Sequence, residues 1–177
     1  MYFVLLRLFF PAFPVASNAM RAVILGIGNT ILSDEGVGVR AVELFEKSYR
    51  LPEFLQVIDG GTAGMEMIED LSHLDFLLVL DTIVAGKPPA TIVKLEGKEV
   101  PAFFRRKLSP HQIGLSDVLA SLEFLEAEPK DIVVIGVQPV TMELGLELSP
   151  EVAARVPEMV TMAAAEFASR GVVLEAL

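Results

Sequence analysis

The chain has 177 residues, of which 53% are hydrophobic and 21% charged, which suits one folded domain with a sizeable core and argues against a disordered chain. It contains no cysteine, so disulfide scaffolds, cysteine-based zinc or iron–sulfur sites and thiol nucleophiles are excluded. Twenty-four acidic residues against fourteen Lys plus Arg give a net charge of −10, a balance that repels phosphate backbones and anionic membranes and so argues against a nucleic-acid partner.

Residues 1–19, MYFVLLRLFFPAFPVASNA, stand apart from the rest. They are interrupted by Pro11 and Pro14 and fall short of the roughly 20 apolar residues that span a bilayer, so no stable membrane insertion is expected. Ser17 and Ala19 offer the small residues of a signal-peptide cleavage point, but a signal peptide would begin with positive charge, whereas Arg7 falls inside the apolar stretch. Met20 therefore reads as the natural start. Residues 1–19 are taken as an N-terminal extension outside the fold, and residues 20–177 as a single α/β domain.

Ala22–Leu25 is a short apolar run, read as a first strand, and the Gly26-Ile27-Gly28-Asn29 turn follows it. A helix is expected from about Ser33 or Asp34, because Val37, Ala41, Val42, Leu44 and Phe45 recur at helical spacing. Leu55–Asp59 reads as a second strand stopped by Gly60-Gly61. Gly64–Leu74 reads as a shorter helix with Met65, Ile68 and Leu71 on one face. Phe76–Leu80 is uninterrupted apolar sequence, as expected of a strand covered on both sides, and it runs into Asp81. Thr91–Leu95 is a less apolar strand suited to a position nearer an edge. Pro101–Gln112 reads as loop, Leu115–Leu125 as helix and Ile132–Val137 as a final buried strand. A helix from about Pro150 to Arg170, broken near Pro157, and a short strand at Val172–Leu174 complete the pattern. Strands alternating with helices imply a three-layer α/β fold, with a mostly parallel twisted sheet between helices on both faces.

In such sheets ligands gather at the carboxyl ends of the strands, near the point where strand order reverses. Asp34 and Glu35 lie there, in the first turn of the first helix. Acids in that place commonly cap free amides, and the same helix dipole keeps a carboxylate ionised and ready as a ligand or base. Asp81 ends the most apolar strand, either as a turn cap or as a carboxylate held on a rigid scaffold. His111, in Leu108-Ser109-Pro110-His111-Gln112, precedes a helix in a segment able to reach the same edge, although a lone loop histidine commonly has no role. Together Glu35, Asp81 and His111 form an oxygen and nitrogen donor set suited to zinc or nickel. His73 is expected on the polar side of its helix, without a role.

Gly26-Ile27-Gly28 invites a dinucleotide-binding reading. The fingerprint needs a third glycine where Ile31 stands, and a pyrophosphate there would meet Asp34 and Glu35, so no nucleotide cofactor is expected.

The stretch from Gly26 to Gly38, GIGNTILSDEGVG, resembles the opening signature of the hydrogenase maturation proteases. Three further blocks agree in order: DGGTAGM from Asp59, VLDTI from Val79 and LSPHQIGLSD from Leu108. The resemblance runs from Met20 to about Leu148. It implies an endopeptidase that removes the C-terminal extension of the large-subunit precursor of a nickel–iron hydrogenase. The family's metal-contacting residues fall on Glu35, Asp81 and His111, so the resemblance implies that these three recognise nickel presented by the precursor. It further implies catalysis by Asp81 and Glu35, with water activated either beside nickel or by the carboxylates alone, in the manner of aspartic proteases. Asn29 and the Asp59-Gly60-Gly61-Thr62 turn are expected to shape the wall that binds substrate. The protein is expected to be a cytoplasmic monomer. Two other readings are a non-catalytic, nickel-dependent assembly chaperone and a nucleotide-binding oxidoreductase.

Overall fold

The run Phe76–Leu80 lies at the middle of a five-stranded sheet, and its neighbours are the other apolar runs. The computed structural model describes residues 20–101 and 110–177, with 110–114 as backbone only. Strand β1 (Ala22–Ile27) leads through a 3-10 turn (Ser33–Gly36) into helix α1 (Val37–Ser48) and the two-residue strand β2 (Tyr49–Arg50). Strand β3 (Leu55–Gly61), a second 3-10 turn (Met65–Met67), helix α2 (Ile68–Leu71) and strands β4 (Phe76–Thr82) and β5 (Ile92–Glu96) follow. Helix α3 (Pro110–Phe124), strand β6 (Ile132–Val137), helices α4 (Pro150–Ala153) and α5 (Val156–Ser169) and strand β7 (Glu175–Ala176) complete the described order.

The main sheet runs β3-β1-β4-β6-β5, with the first four strands parallel and β5 antiparallel to β6 at one edge. Alternate side chains of each central strand enter opposite layers, as the pleat requires. Ile24, Leu78 and Ile135 pack with Val42 and Phe45 of α1 and Met159 and Phe167 of α5. Val23, Leu77, Val79 and Val134 pack on the other side with Leu71 of α2 and Leu115, Val118 and Leu122 of α3. Helices therefore cover both faces of a mostly parallel sheet, as the alternating pattern implies. Every residue of β4 is buried, while the less apolar β5 is an edge strand.

Four local expectations differ from the structure. Gly60-Gly61 does not stop β3: the strand continues to Gly61, and Gly60 is the extra residue at a register shift opposite Gly26 and Ile27. The helix expected over Gly64–Leu74 is a 3-10 turn followed by one α-helical turn. The tighter winding turns Met65 outward and buries Met67 instead. Residues 110–112, inside the segment read as loop, are already helical in α3. The break expected near Pro157 is present: α4 and α5 are separate helices, and Pro157 sits in the first turn of α5, where its missing N–H breaks no bond. The last strand lies at Glu175–Ala176 and not at Val172–Leu174, because it pairs antiparallel with the two residues of β2. Residues 1–19 lie outside the described residues.

Candidate active site

The strand order reverses direction between β1 and β4. The chain leaves β1 for β3 on one side, then crosses back to β4 on the other, so the carboxyl ends of β1 and β4 flank the switch point. Two glycines let the start of α1 settle directly on these ends. A Cβ at Gly38 would stand 2.2 Å from both the Ile27 and Leu80 carbonyl oxygens. A Cβ at Gly28, whose φ is +139°, would stand 1.7 Å from the Glu35 carbonyl oxygen. The Gly26-Ile27-Gly28 pattern thus serves close backbone packing.

Glu35 and Asp81 are buried there, at 2% and 5% exposure. The Asp81 carboxyl is pushed up to about 8, chiefly by burial and further by the neighbouring Glu35 charge, against the opposing effect of the Thr82 amide, which donates to Asp81 Oδ1 at 2.7 Å. The structure therefore brings together two of the three metal-contacting residues expected from the sequence. The third, His111, is the second residue of α3, and its side chain lies outside the described residues. Among the described residues no three His, Cys, Asp or Glu side chains form a group able to hold a metal ion.

Asp34 departs from the capping role open to it in the sequence. Its side chain caps neither the 3-10 turn nor α1. Fully buried, it accepts hydrogen bonds from the Val140 and Thr141 amides at 2.9 and 3.0 Å, and from the Ser149 amide and hydroxyl at 2.6 and 3.0 Å. Its carbonyl oxygen accepts from the Thr82 hydroxyl at 2.6 Å. Asp34 thereby joins the Glu35 turn, the end of the Asp81 strand and the loop after β6. Sequence reasoning missed Thr82 and Ser149. Asp34 was conspicuous, but its carboxylate's partners lie more than 100 residues away.

The expected substrate wall is also at this edge. The Gly28 amide donates to the Gly61 carbonyl at 2.8 Å, which sets the Asn29 turn beside the Asp59–Thr62 turn. Asn29 Oδ1 accepts from the Ile31 amide at 3.2 Å, and Asp59 Oδ1 accepts from the Gly61 amide at 3.0 Å. Gly60 is buried, whereas Asp59 and Thr62 are exposed. His73 is exposed and lies at the opposite, amino-terminal end of β4.

Among the described residues no helix is long and apolar enough to cross a membrane. A family model described as hydrogenase maturation protease matches residues 39–166. The hydrogenase 2 maturation protease of Escherichia coli strain K12 is 43% identical over 154 residues, covering 86% of this chain and 94% of that protein. The structure of the hydrogenase maturating endopeptidase HybD from E. coli superposes with a TM-score of 0.86 at 41% identity, covering 89% of this chain and 98% of that one. A nickel–iron hydrogenase maturation protease, HybD from Thermococcus kodakarensis, is similar at a TM-score of 0.66 and 27% identity, covering 81% and 97%. With the model spanning most of the chain and the E. coli relative matched over 94% of its length, this chain belongs to the hydrogenase maturation protease family.

Proposed function

We propose that this protein is the endopeptidase that removes the C-terminal extension of the large-subunit precursor of a nickel–iron hydrogenase, using Glu35 and Asp81 as its working carboxylates. The observation that carries the reading is the buried Glu35–Asp81 pair at the switch point of a fold shared with maturation endopeptidases. Both acids come from one chain, so a monomer suffices. The cysteine-free sequence suits the reducing cytoplasm, where we place the reaction.

Nickel enters with the precursor, as part of the substrate, and supplies a Lewis acid beside the scissile carbonyl. Glu35 and Asp81 offer it anionic oxygens, and His111 a nitrogen donor from the start of α3. A precursor without nickel lacks this anchor, which makes the metal a checkpoint. Hydrolysis then needs a base for the attacking water and an acid for the departing amine. Asp81 or Glu35 would serve as both in turn, taking the proton from water and returning it to the amine nitrogen as the peptide bond breaks. Asn29, Asp59, Gly60 and Thr62 lie where they would border the extended substrate segment.

The test is incubation with nickel-loaded and nickel-free precursor, with the C-terminal tail read by mass spectrometry. Loss of the tail from the loaded form alone is expected. Tails left intact in both, with a stable complex formed, would replace the protease by a non-catalytic assembly chaperone.

A further inference from the structure

Residues 31–33 and 143–146 are joined edge to edge. The Gly145 amide donates to the Ile31 carbonyl at 3.0 Å, the Ser33 amide to the Gly145 carbonyl at 2.8 Å, and the Ser33 hydroxyl to the Glu143 carbonyl at 2.9 Å. The same loop is held from beneath by the Asp34 carboxylate, through the Val140, Thr141 and Ser149 amides. An irregular segment so fixed has no need of exposed apolar side chains to stay in place. Yet it presents Leu144 at 82% exposure, Leu146 at 67% and Val140 at 44%, with Ile31 at 52% on the facing segment. Isolated surface leucines are ordinary, but apolar residues gathered on a rigid lip beside a catalytic pair mark an interaction surface.

We infer that this lip, Ile31 with residues 140–146, is where the body of the precursor docks. The inference rests on the reading of Glu35 and Asp81 as the peptidase site. Two observations select the partner. The lip is continuous with the site, since Asp34 is bonded to the loop through its carboxylate and to the Asp81 strand through its carbonyl. Its charge is of one sign: Glu143 and Glu147 are exposed beside the leucines, and no Lys or Arg occurs between Asp131 and Arg155. The fitting partner surface is therefore an apolar patch bordered by lysine or arginine, on the face of the precursor from which its tail emerges. Because the lip is already ordered, it loses little conformational entropy on binding. The acidic border orients the approach.

The experiment measures binding and cleavage of the nickel-loaded precursor by the full chain carrying Ile31→Asp together with Leu144→Asp. Both side chains are exposed, so the melting temperature stays at the wild-type value. The precursor binds at least about tenfold more weakly and KM rises in proportion. Val173→Asp, an equally exposed residue beyond α5 near the amino-terminal edge of the sheet, leaves both unchanged. Wild-type affinity falls with added salt, and Glu143→Lys with Glu147→Lys weakens it further. Wild-type affinity and KM in the Ile31→Asp, Leu144→Asp variant would overturn the docking surface while leaving the peptidase in place. A wild-type protein that binds the precursor without cutting it, with binding lost in that variant, would overturn the peptidase and leave the docking surface standing.

Discussion

The Thr82 hydroxyl donates to the Asp34 carbonyl at 2.6 Å, and this bond ties the strand that carries Asp81 to the turn that carries Glu35. Two carboxylates from elements far apart in the chain are held in register by a neighbour of each. Thr82→Val keeps the shape and removes the donor, leaving a buried carbonyl without that partner. We expect a loss of about 1–2 kcal/mol in urea denaturation. Processing should slow through kcat rather than KM, because the carboxylates lose alignment while the docking lip stays in place.

Asp34→Asn keeps one acceptor oxygen and replaces the other with an amide that cannot accept. Since the carboxylate receives four hydrogen bonds from the loop after β6, at least about 2 kcal/mol of stability should be lost. Hydrogen exchange should rise at the Val140, Thr141 and Ser149 amides more than in the sheet. Uniform protection across that loop would contradict the strut assigned to Asp34.

The pH dependence of stability has a sign set by Asp81. Its folded-state pKa, about 8, lies above the ordinary value of 3.8. Between these values the folded protein keeps a proton that the unfolded chain releases. The contribution is therefore whole below pH 3.8 and lost as pH rises to about 8, with a limiting slope of about 1.4 kcal/mol per pH unit. Asp75 and Glu166, whose carboxyls are held below their usual range by ion pairing, act oppositely in acid. The comparison that isolates Asp81 is wild type against Asp81→Asn by denaturant unfolding across this range. The variant should gain relative stability as pH rises, and parallel curves would contradict the shift.

Gly38→Ala tests the packing that brings the two acids together. Its Cβ would stand 2.2 Å from two backbone carbonyls, neither of which moves without shifting β1 or β4. A loss of about 3 kcal/mol or more is expected in thermal or denaturant unfolding. A near-neutral effect would show that α1 has room to lift away from the strand ends.

Much of this architecture was legible in the sequence because its signals are local. The continuous apolar run of β4 announces a strand buried on both faces, and the spacing of Val37, Ala41, Val42 and Phe45 announces the buried face of α1. Glu35 and Asp81 were found by a rule about strand ends, which needs only the order of elements. What escaped depends on partners elsewhere. The place of β7 is set by its pairing with β2, and the work of Asp34 by amides more than 100 residues later. Residues 110–112 differ for another reason: they are helical in α3, yet Pro101 and Pro110 weigh that stretch toward a loop.

The central claim is that the Glu35 and Asp81 carboxylates do the work of cleavage. It is tested most directly by the mass of nickel-loaded precursor after incubation with Asp81→Asn and with Glu35→Gln, each first shown to melt as a folded protein. The account predicts that the precursor keeps its full mass with either variant, while the wild-type protein removes the tail. Removal of the tail at the wild-type rate by either folded variant would contradict it.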